Sequence, residues 1–390
     1  GPDGEEWERA IGAAKTLLSS DCGWLELFTR AILEEMQRRG LDARMEDALR
    51  FGGPKASRIV SEGYVRIAKD APALFGGLYR AGGLLSSGKR KSPVYYANAL
   101  CAGALAGYIR QEGFDAAVCP HLFPAEALTR ARRDLPGSYR FYAVATDYTC
   151  IPFMEETEPD LFFIPHADLA QEFASRGIAR ETLLATGIPV SSRFLEREER
   201  QAARRALGLP EEGRILLLMT GSMGFGDVLP LPEALCGIAP DVRVVVLTGN
   251  NARLREQLCA RYGEGGRVRA LPFTEEVPRF FAAADAVLTK PGGLTSTEAA
   301  VFGVPLIHTD PIPGCETRNA AFFSERGLSV QACGREEIVR AASRLLNDPD
   351  ACARMRAAQA QTLNRHAARD IADIVERGGR AGAAQEDFAI

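Results

Sequence analysis

The stretch DAVLTKPGGLTSTEAAVFGVPLI, residues 285–307, holds a short apolar run, a Pro-Gly-Gly turn, a helical pattern and a second apolar run. Apolar strands that alternate with helices predict βαβ units and a parallel sheet buried on both faces. In such a sheet, ligands bind outside the carboxyl ends of the strands. The turn at 291–293 directly follows a strand, so we expect it at the ligand-binding edge.

The same pattern runs through the rest of the chain. In the second half, predicted strands lie at 214–220, 242–248, 267–273, 285–290, 305–309 and 328–333. In the first half they lie at 15–20, 115–120, 140–147, 161–166 and 183–190, and a helix from Trp24 to Arg39 ends at Gly40. Residues 191–213 are polar and mark the boundary between two α/β domains, which we expect to face a cleft.

Composition excludes several classes of protein. The 390 residues carry a net charge of −4, which argues against general nucleic-acid binding. No apolar run approaches the roughly 20 residues needed to span a bilayer, and the start, GPDGEE, is not that of a signal peptide. The nine cysteines are scattered without a CxxC pair and the four histidines are dispersed, which is typical of a reduced, cytoplasmic protein without a metal cluster.

The opening turn has the chemistry of a diphosphate site. Gly292 and Gly293 let backbone amides approach a ligand, and the helix dipole favours negative charge. Thr295, Ser296 and Thr297 add hydroxyl donors, and Glu298, one turn further, suits a ribose diol. A plain strand-to-helix turn with an N-cap threonine is the alternative reading of these residues.

A second glycine loop strengthens the diphosphate interpretation. MTGSMGFGD, residues 219–227, follows the first strand of the same half and places Gly221, Ser222 and Met223 at the same sheet edge. It is neither GxGxxG nor a Walker A motif, because no GK[ST] follows, and this argues against ATP chemistry of the P-loop kind.

Several segments resemble one family. LTKPGGLTSTEAAVFGVPLI (288–307) and PIPGCETRNAAFF (311–323) are similar to family 28 glycosyltransferases of the GT-B fold. Within that family they resemble the diacylglycerol glycosyltransferases, namely the monogalactosyldiacylglycerol synthases and the processive glucosyl enzymes. FPAEAL (123–128), VATDYTCIPFMEETEPDLFFIPH (144–166) and TGIPV (186–190) resemble the same group, so the likeness extends over residues 40–365.

The resemblance implies a GT-B fold of two Rossmann-like, doubly wound domains. Residues 1–192 would form the acceptor and membrane-facing domain, and residues 193–366 the UDP-sugar domain. Residues 367–390 would hold a C-terminal helix that packs back on the first domain. The substrates it implies are a UDP-hexose donor and a diacylglycerol acceptor, with no cofactor.

The resemblance also implies a set of donor contacts. Phe273 would lie by the uracil, Glu298 at the ribose, and Glu316 and Asn319 at the hexose. The full set is Gly221, Ser222, Met223, Phe273, Gly292, Gly293, Leu294, Thr295, Ser296, Glu298, Cys315, Glu316 and Asn319. Cys315 stands where family members commonly have glutamine, which leaves glucose and galactose both open as the donor sugar.

The catalytic base is less well defined. Asp147 matches the family's TD dipeptide and would take the acceptor's proton in an inverting displacement, although capping a turn explains it equally. The family usually has a glycine-rich loop ending in histidine after its first strand, whereas Trp24 stands near that place here and Asp21 is the base-like group. Asp21 and Asp147 are therefore the candidate catalytic residues.

No DxD metal motif follows a strand. DPD at 348–350 is interpreted as a turn and a helix N-cap, so we expect a metal-independent transfer. The glycine loops and the helix N-terminus would then stabilise the departing UDP.

A basic and apolar segment predicts membrane contact. Residues 51–110 carry nine basic and two acidic groups, and LFGGLYRAGGLLSSGKRKSPVYY (74–96) mixes apolar side chains with Lys89, Arg90 and Lys91. This composition suits an anionic membrane surface, although a solvated loop between helices explains it as well. With the resemblance, we expect a cytoplasmic protein that is peripheral on the inner face of the cell membrane.

Three alternatives stay open. The first is transfer of N-acetylglucosamine to a lipid-linked cell-wall intermediate, which the ATDYTCIPF segment disfavours. The second is a UDP-sugar epimerase, which would leave the basic and apolar segment unexplained. The third is a catalytically impaired UDP-sugar-binding homologue, which the missing histidine raises.

Overall fold

The computed structural model describes residues 15–20, 26–52, 91–220, 228–263 and 265–378. Its contacts divide the chain into two compact units. The N-terminal unit takes residues 1–192 and 366–390, and the C-terminal unit takes residues 193–365.

The N-terminal unit is built on a six-stranded parallel sheet of order β2-β1-β3-β4-β5-β6. Its strands are β1 Thr16–Ser20, β2 Ala43–Asp47, β3 Ala116–Cys119, β4 Arg140–Val144, β5 Leu161–Ile164 and β6 Leu183–Ala185. The helices between them are α1 Glu26–Arg38, α2 Pro93–Asn98, α3 Ala102–Glu112, α4 Leu122–Ala131 and α5 Ala170–Ser175.

The C-terminal unit contains a second six-stranded parallel sheet, of order β12-β11-β10-β7-β8-β9. Its strands are β7 Arg214–Met219, β8 Val242–Leu247, β9 Val268–Leu271, β10 Ala286–Thr289, β11 Leu306–His308 and β12 Val330–Gln331. Its helices are α6 Arg200–Ala206, α7 Leu231–Cys236, α8 Ala252–Tyr262, α9 Val277–Ala283, α10 Gly293–Phe302, α11 Cys315–Glu325, α12 Gly334–Asn347 and α13 Pro349–Thr362.

The last helix, α14 Ala367–Glu376, belongs to the N-terminal unit and packs on α1. Ile371 and Val375 join the core cluster that contains Ile32 and Met36 of α1. Arg39 fixes the pairing, because its guanidinium binds Glu35 of α1 at 2.8 Å and also Asp373 of α14.

The strand order of the C-terminal unit locates its ligand-binding edge. Counted within the unit, the strands run third, second, first, fourth, fifth, sixth, which is the Rossmann order with its switch point between the first and fourth strands. These are β7 and β10, and Met219 pairs with Thr289 where both strands end. The two connections that follow these strands therefore start next to each other at the switch point. One is the turn at 291–293, and the other is residues 221–227, which lie outside the described residues.

The predicted fold class is confirmed, since each predicted apolar run contains a strand of a parallel sheet. Two runs form less strand than expected: 183–190 yields Leu183–Ala185 and 328–333 yields Val330–Gln331. One strand, β2, was not predicted. Its sequence ARMED is mostly polar because it lies at the sheet edge, where Ala43 alone is buried. Within the described residues, no helix has the length and apolarity needed to cross a membrane.

Candidate functional site

The Pro291–Gly293 turn leaves room beside its backbone. The N–H of Gly292 donates to the carbonyl of Lys290 at 2.9 Å, which makes the turn tight. Gly292 has a φ of −72°, a value open to any residue, and a Cβ placed on it would meet no atom within 4 Å. Neither backbone strain nor crowding within the protein requires glycine here. The open space lets a ligand approach the backbone closely.

Helix α10 begins with unpaired backbone donors. The first N–H of the helix with a backbone acceptor is that of Ser296, which donates to the carbonyl of Gly292 at 3.1 Å. The N-cap residue is Gly292, which has no side chain to accept an earlier N–H. In the part of the chain that the structure describes, the N–H groups of Gly293, Leu294 and Thr295 have no protein acceptor. Three such donors, together with the helix dipole, form a site suited to an anion.

The three hydroxyls at the start of α10 have different surroundings. Thr295 is half-buried and makes no side-chain hydrogen bond to a described residue. Ser296 is fully buried, and Thr297 donates to the carbonyl of Gly293 at 2.6 Å. Ser296 and Thr297 thus bond inside the protein, which differs from the expectation that both would face a ligand. Of the three hydroxyls, that of Thr295 is the one available to a ligand.

A buried histidine holds Ser296. The Oγ of Ser296 lies 2.9 Å from Nε2 of His308 on β11, and the Oγ of Ser329 lies 3.0 Å from Nδ1. Burial lowers the pKa of His308 to about 3, so the imidazole stays neutral and uses one nitrogen as donor and the other as acceptor. This bridge of two hydroxyls and an imidazole ties α10 to the sheet beneath it.

Glu298 is a half-buried carboxyl one turn into α10. It has no hydrogen-bond partner among the described residues. Burial raises the pKa of Glu298 to about 8, against the opposing influence of Arg193. A carboxyl that is desolvated and not hydrogen-bonded is prepared to accept bonds from hydroxyl groups of a ligand.

Helix α11 supplies the residues predicted for the sugar. Cys315 is its first residue and is half-buried, while Glu316 accepts the N–H of Ile312 at 2.7 Å. Asn319 is fully buried, and its amide donates to the carbonyl of Pro291 at 3.0 Å. Asn319 therefore fixes the turn at the site instead of facing the hexose as expected, because it lies on the buried face of α11.

Lys290 was not singled out from the sequence. It is half-buried directly after β10, and no carboxylate of a described residue lies within 4 Å of its ammonium. Burial lowers the pKa of Lys290, and the nearby charge of Glu316 opposes this. The sequence did hold a signal, since Lys290 is the one lysine in residues 193–365, beside 21 arginines.

The remaining predicted donor contacts are an exposed aromatic residue and three residues of the loop after β7. Phe273, after β9, exposes 56% of its surface, so an aromatic ring is available two strands from β7. Gly221, Ser222 and Met223 lie outside the described residues.

The candidate base Asp147 lies in the loop after β4 and is half-buried. The loop is held in place by Glu172 of α5, which accepts the N–H of Cys150 at 3.1 Å, and by the buried ring of Tyr148. Asp147 thus occupies a fixed position at the carboxyl end of a central strand. The second candidate, Asp21, lies outside the described residues, as does Trp24.

The predicted membrane cations are in part beyond the described residues, as Lys89 and Arg90 belong to residues 53–90. Lys91 is described. Its ammonium donates to the carbonyl of Glu156 at 2.5 Å and to the carboxylate of Glu158 at 2.7 Å, and its side chain is 14% exposed. Lys91 therefore anchors the start of α2 to the protein, which differs from the expected surface role.

In the described ranges, no group of three or more His, Cys, Asp or Glu side chains is placed to hold a metal ion. The predicted role of DPD is confirmed: the carboxylate of Asp348 accepts the N–H of Ala351 at 2.8 Å and caps α13.

Comparison with known proteins gives matches for both halves. Residues 28–190 match the model of the monogalactosyldiacylglycerol (MGDG) synthase family, and residues 229–362 match that of the glycosyl transferases group 1. A processive diacylglycerol beta-glucosyltransferase of Bacillus subtilis is 31% identical over 238 residues. That alignment takes in 60% of this chain and 62% of the relative, so it spans about three fifths of the length of the curated protein.

Solved structures share the fold at low identity. MurG of Acinetobacter baumannii superposes with a TM-score of 0.59 at 15% identity, covering 93% of this chain and 99% of its own. A UDP-N-acetylglucosamine 2-epimerase gives a TM-score of 0.63 at 16% identity, covering 94% and 96%. These likenesses show the GT-B fold and do not choose between transfer and epimerisation. The family models and the curated relative favour transfer, because this chain is similar to the MGDG synthase family in its first half, to the glycosyl transferases group 1 in its second half and to a diacylglycerol beta-glucosyltransferase.

Proposed function

We propose that the protein is an inverting, metal-independent glycosyltransferase that moves a hexose from a UDP-sugar to the hydroxyl of 1,2-diacylglycerol. The observation that carries the proposal is the arrangement at the switch point of the C-terminal sheet. There, among the described residues, three N–H groups at the start of α10 have no acceptor, and they stand one turn before the carboxyl of Glu298, which has no hydrogen-bond partner among those residues either. The spacing suits a diphosphate followed by a ribose diol.

The donor would be held by groups of different character. The N–H groups of Gly293, Leu294 and Thr295 and the Thr295 hydroxyl would bind diphosphate oxygens, and Glu298 would accept the two ribose hydroxyls. The ring of Phe273 would lie against the uracil, and Glu316 would face the hexose beside Cys315. Gly221, Ser222 and Met223 would complete the phosphate site from the loop after β7.

In the reaction, the acceptor oxygen would bond to the anomeric carbon as the bond to the β-phosphate oxygen breaks. The electron pair of that bond stays on the departing UDP. The proton of the acceptor hydroxyl would pass to a carboxylate, for which Asp147 is the described candidate and Asp21 the other. One displacement of this kind inverts the anomeric configuration.

The acceptor assignment rests on the family match of residues 28–190 and on the name of the curated relative. The basic and apolar residues 74–90 would bring the N-terminal unit to an anionic bilayer, where diacylglycerol is found. The protein would then act as a peripheral protein on the inner face of the cell membrane.

The stereochemistry and the metal requirement can be read in one experiment. An α-linked UDP-hexose is supplied with diacylglycerol vesicles and excess EDTA, and the anomeric proton of the glycolipid is followed by NMR. We expect a β-linked product at a rate that EDTA leaves unchanged. An α-linked product would refute inversion, and loss of activity that Mg²⁺ or Mn²⁺ restores would refute metal independence.

A further inference from the structure

Lys290 is a half-buried cation at the carboxyl end of β10. It follows β10 immediately, and its own carbonyl closes the turn by accepting the N–H of Gly292. The ammonium is half-buried, and no described residue gives it an ion pair or a hydrogen bond. The negative charge of Glu316 acts on the Lys290 ammonium from a distance. One carboxylate oxygen of Glu316 accepts the N–H of Ile312 at 2.7 Å.

An ammonium removed from water loses hydration free energy unless a counter-charge replaces it. Around Lys290 the neighbouring groups also favour an anion, because the next residues lead into the unpaired N–H groups of Gly293, Leu294 and Thr295. The Lys290 ammonium and these N–H groups therefore suit the same ligand, a compact anion with several acceptor oxygens.

We propose that Lys290 contacts the β-phosphate of the bound UDP-sugar and stabilises the charge that forms when the sugar leaves. This inference rests on the proposed function and adds a residue to it. When the bond between the anomeric carbon and the β-phosphate oxygen breaks, that oxygen keeps the electron pair, and the diphosphate gains one negative charge. A fixed ammonium at this phosphate lowers the energy of the charge-separated transition state more than that of the bound donor.

The residue type supports this role. The C-terminal unit uses arginine at 21 other basic positions. A lysine presents a compact point charge that can approach a single phosphate closely.

The first test compares ligands that differ by one phosphate. Calorimetry of the full chain with uridine, UMP and UDP is run for wild type, Lys290→Met and Lys290→Arg. The control is Arg318→Met, which removes one exposed positive charge from the same unit. We expect Lys290→Met to weaken UDP binding about 10- to 100-fold, as for loss of a charged hydrogen bond, while uridine and UMP binding stay within about twofold of wild type.

Partial recovery of UDP affinity by Lys290→Arg, and unchanged affinity in Arg318→Met, would support a charge contact at this site. Equal weakening of uridine, UMP and UDP would overturn the inference, since a general disturbance of the site affects all three. Turnover adds a second measurement, because removing a contact that strengthens in the transition state lowers kcat as well as raising KM.

A second test uses the unaltered protein, in case the variant fails to fold. The chain has six lysines, so amine acylation followed by peptide mass spectrometry resolves each of them. Saturating UDP should protect Lys290, and saturating uridine should not. Labelling of Lys290 that UDP leaves unchanged would overturn this inference alone, whereas failure of wild type to bind UDP would overturn the proposed function with it.

Discussion

Glu298 is the residue whose chemistry most directly links structure to nucleotide binding. Its carboxyl is half-buried, lacks a hydrogen-bond partner among the described residues and has a pKa raised to about 8. A free protein near neutral pH therefore holds it mostly protonated. Ribose hydroxyls that donate to the carboxylate would favour its charged form, so binding and deprotonation are coupled.

This coupling predicts a pH dependence of donor affinity. UDP-glucose, whose phosphates stay ionised in this range, should bind more tightly as the pH rises from 6 to 8.5, by up to about tenfold per pH unit below the pKa. Calorimetry at several pH values measures it. Glu298→Gln should bind more weakly at high pH and lose the dependence, since glutamine does not titrate. A wild-type affinity that is flat over this range would contradict the ribose assignment.

Two residues of the sequence motifs lie on buried helix faces. Ser296 and Asn319 were expected at the ligand because of their residue types and their place in a motif. Both prove buried and bonded within the protein, to His308 and to the carbonyl of Pro291. A motif gives the spacing of side chains along a helix, but which face is buried depends on the packing of α10 and α11, which local sequence does not determine.

At the scale of elements, α10 carries binding groups on one side and supporting groups on the other. The inner side is tied to the sheet through Ser296, His308 and Ser329, with all three side chains buried. The opposite side presents Thr295, and the first three N–H groups of the helix have no acceptor among the described residues. The helix thus holds a rigid donor array, because its anchoring bonds are uncharged and do not respond to pH in the physiological range.

A pair of neighbouring variants separates the two sides of α10. Ser296→Ala leaves a buried nitrogen of His308 without a partner and should lower the free energy of unfolding by about 1–3 kcal/mol. Thr295→Ala should leave stability nearly unchanged and weaken UDP binding. Urea unfolding and UDP calorimetry on both variants decide this. The assignment fails if Thr295→Ala destabilises the protein as much as Ser296→Ala does, or if it leaves UDP affinity unchanged.

Most strands were predictable because parallel strands buried on both faces require continuous apolar runs, such as Ile215 to Leu218 in β7. The edge strand β2 escaped prediction for the converse reason. Its side chains beyond Ala43 are partly exposed, so ARMED carries no apolar signal, and its strand state comes from pairing with β1.

At the scale of the whole molecule, the two units divide the proposed work, with the donor in the C-terminal unit and the lipid in the N-terminal one. The chain returns to the N-terminal unit through α14, which is fixed to α1 by Arg39. The family resemblance implied a C-terminal helix on the N-terminal domain, but the length of α14 and its contact with α1 could not be read from local sequence, since the contact joins residues far apart in the chain.

Membrane binding is proposed to be electrostatic in part. Because Lys91 is bonded within the protein, it is tested separately from Lys89 and Arg90. Lys89→Gln with Arg90→Gln should reduce binding to anionic vesicles at low salt and change it little at high salt, where screening already weakens the attraction. Lys91→Gln should instead lower thermal stability, because it breaks bonds to Glu156 and Glu158. Co-sedimentation and thermal unfolding measure both. Equal loss of vesicle binding at both salt concentrations would count against the electrostatic role.

The central claim is tested most directly by a turnover screen of the full chain. UDP-glucose, UDP-galactose and UDP-N-acetylglucosamine are each supplied with anionic vesicles that contain diacylglycerol, and lipid and nucleotide products are identified by mass spectrometry and chromatography. The account predicts a hexosyl-diacylglycerol and an equal amount of UDP from one or both of the UDP-hexoses. A UDP-sugar epimer formed without glycolipid, or transfer from none of the three donors, would contradict it.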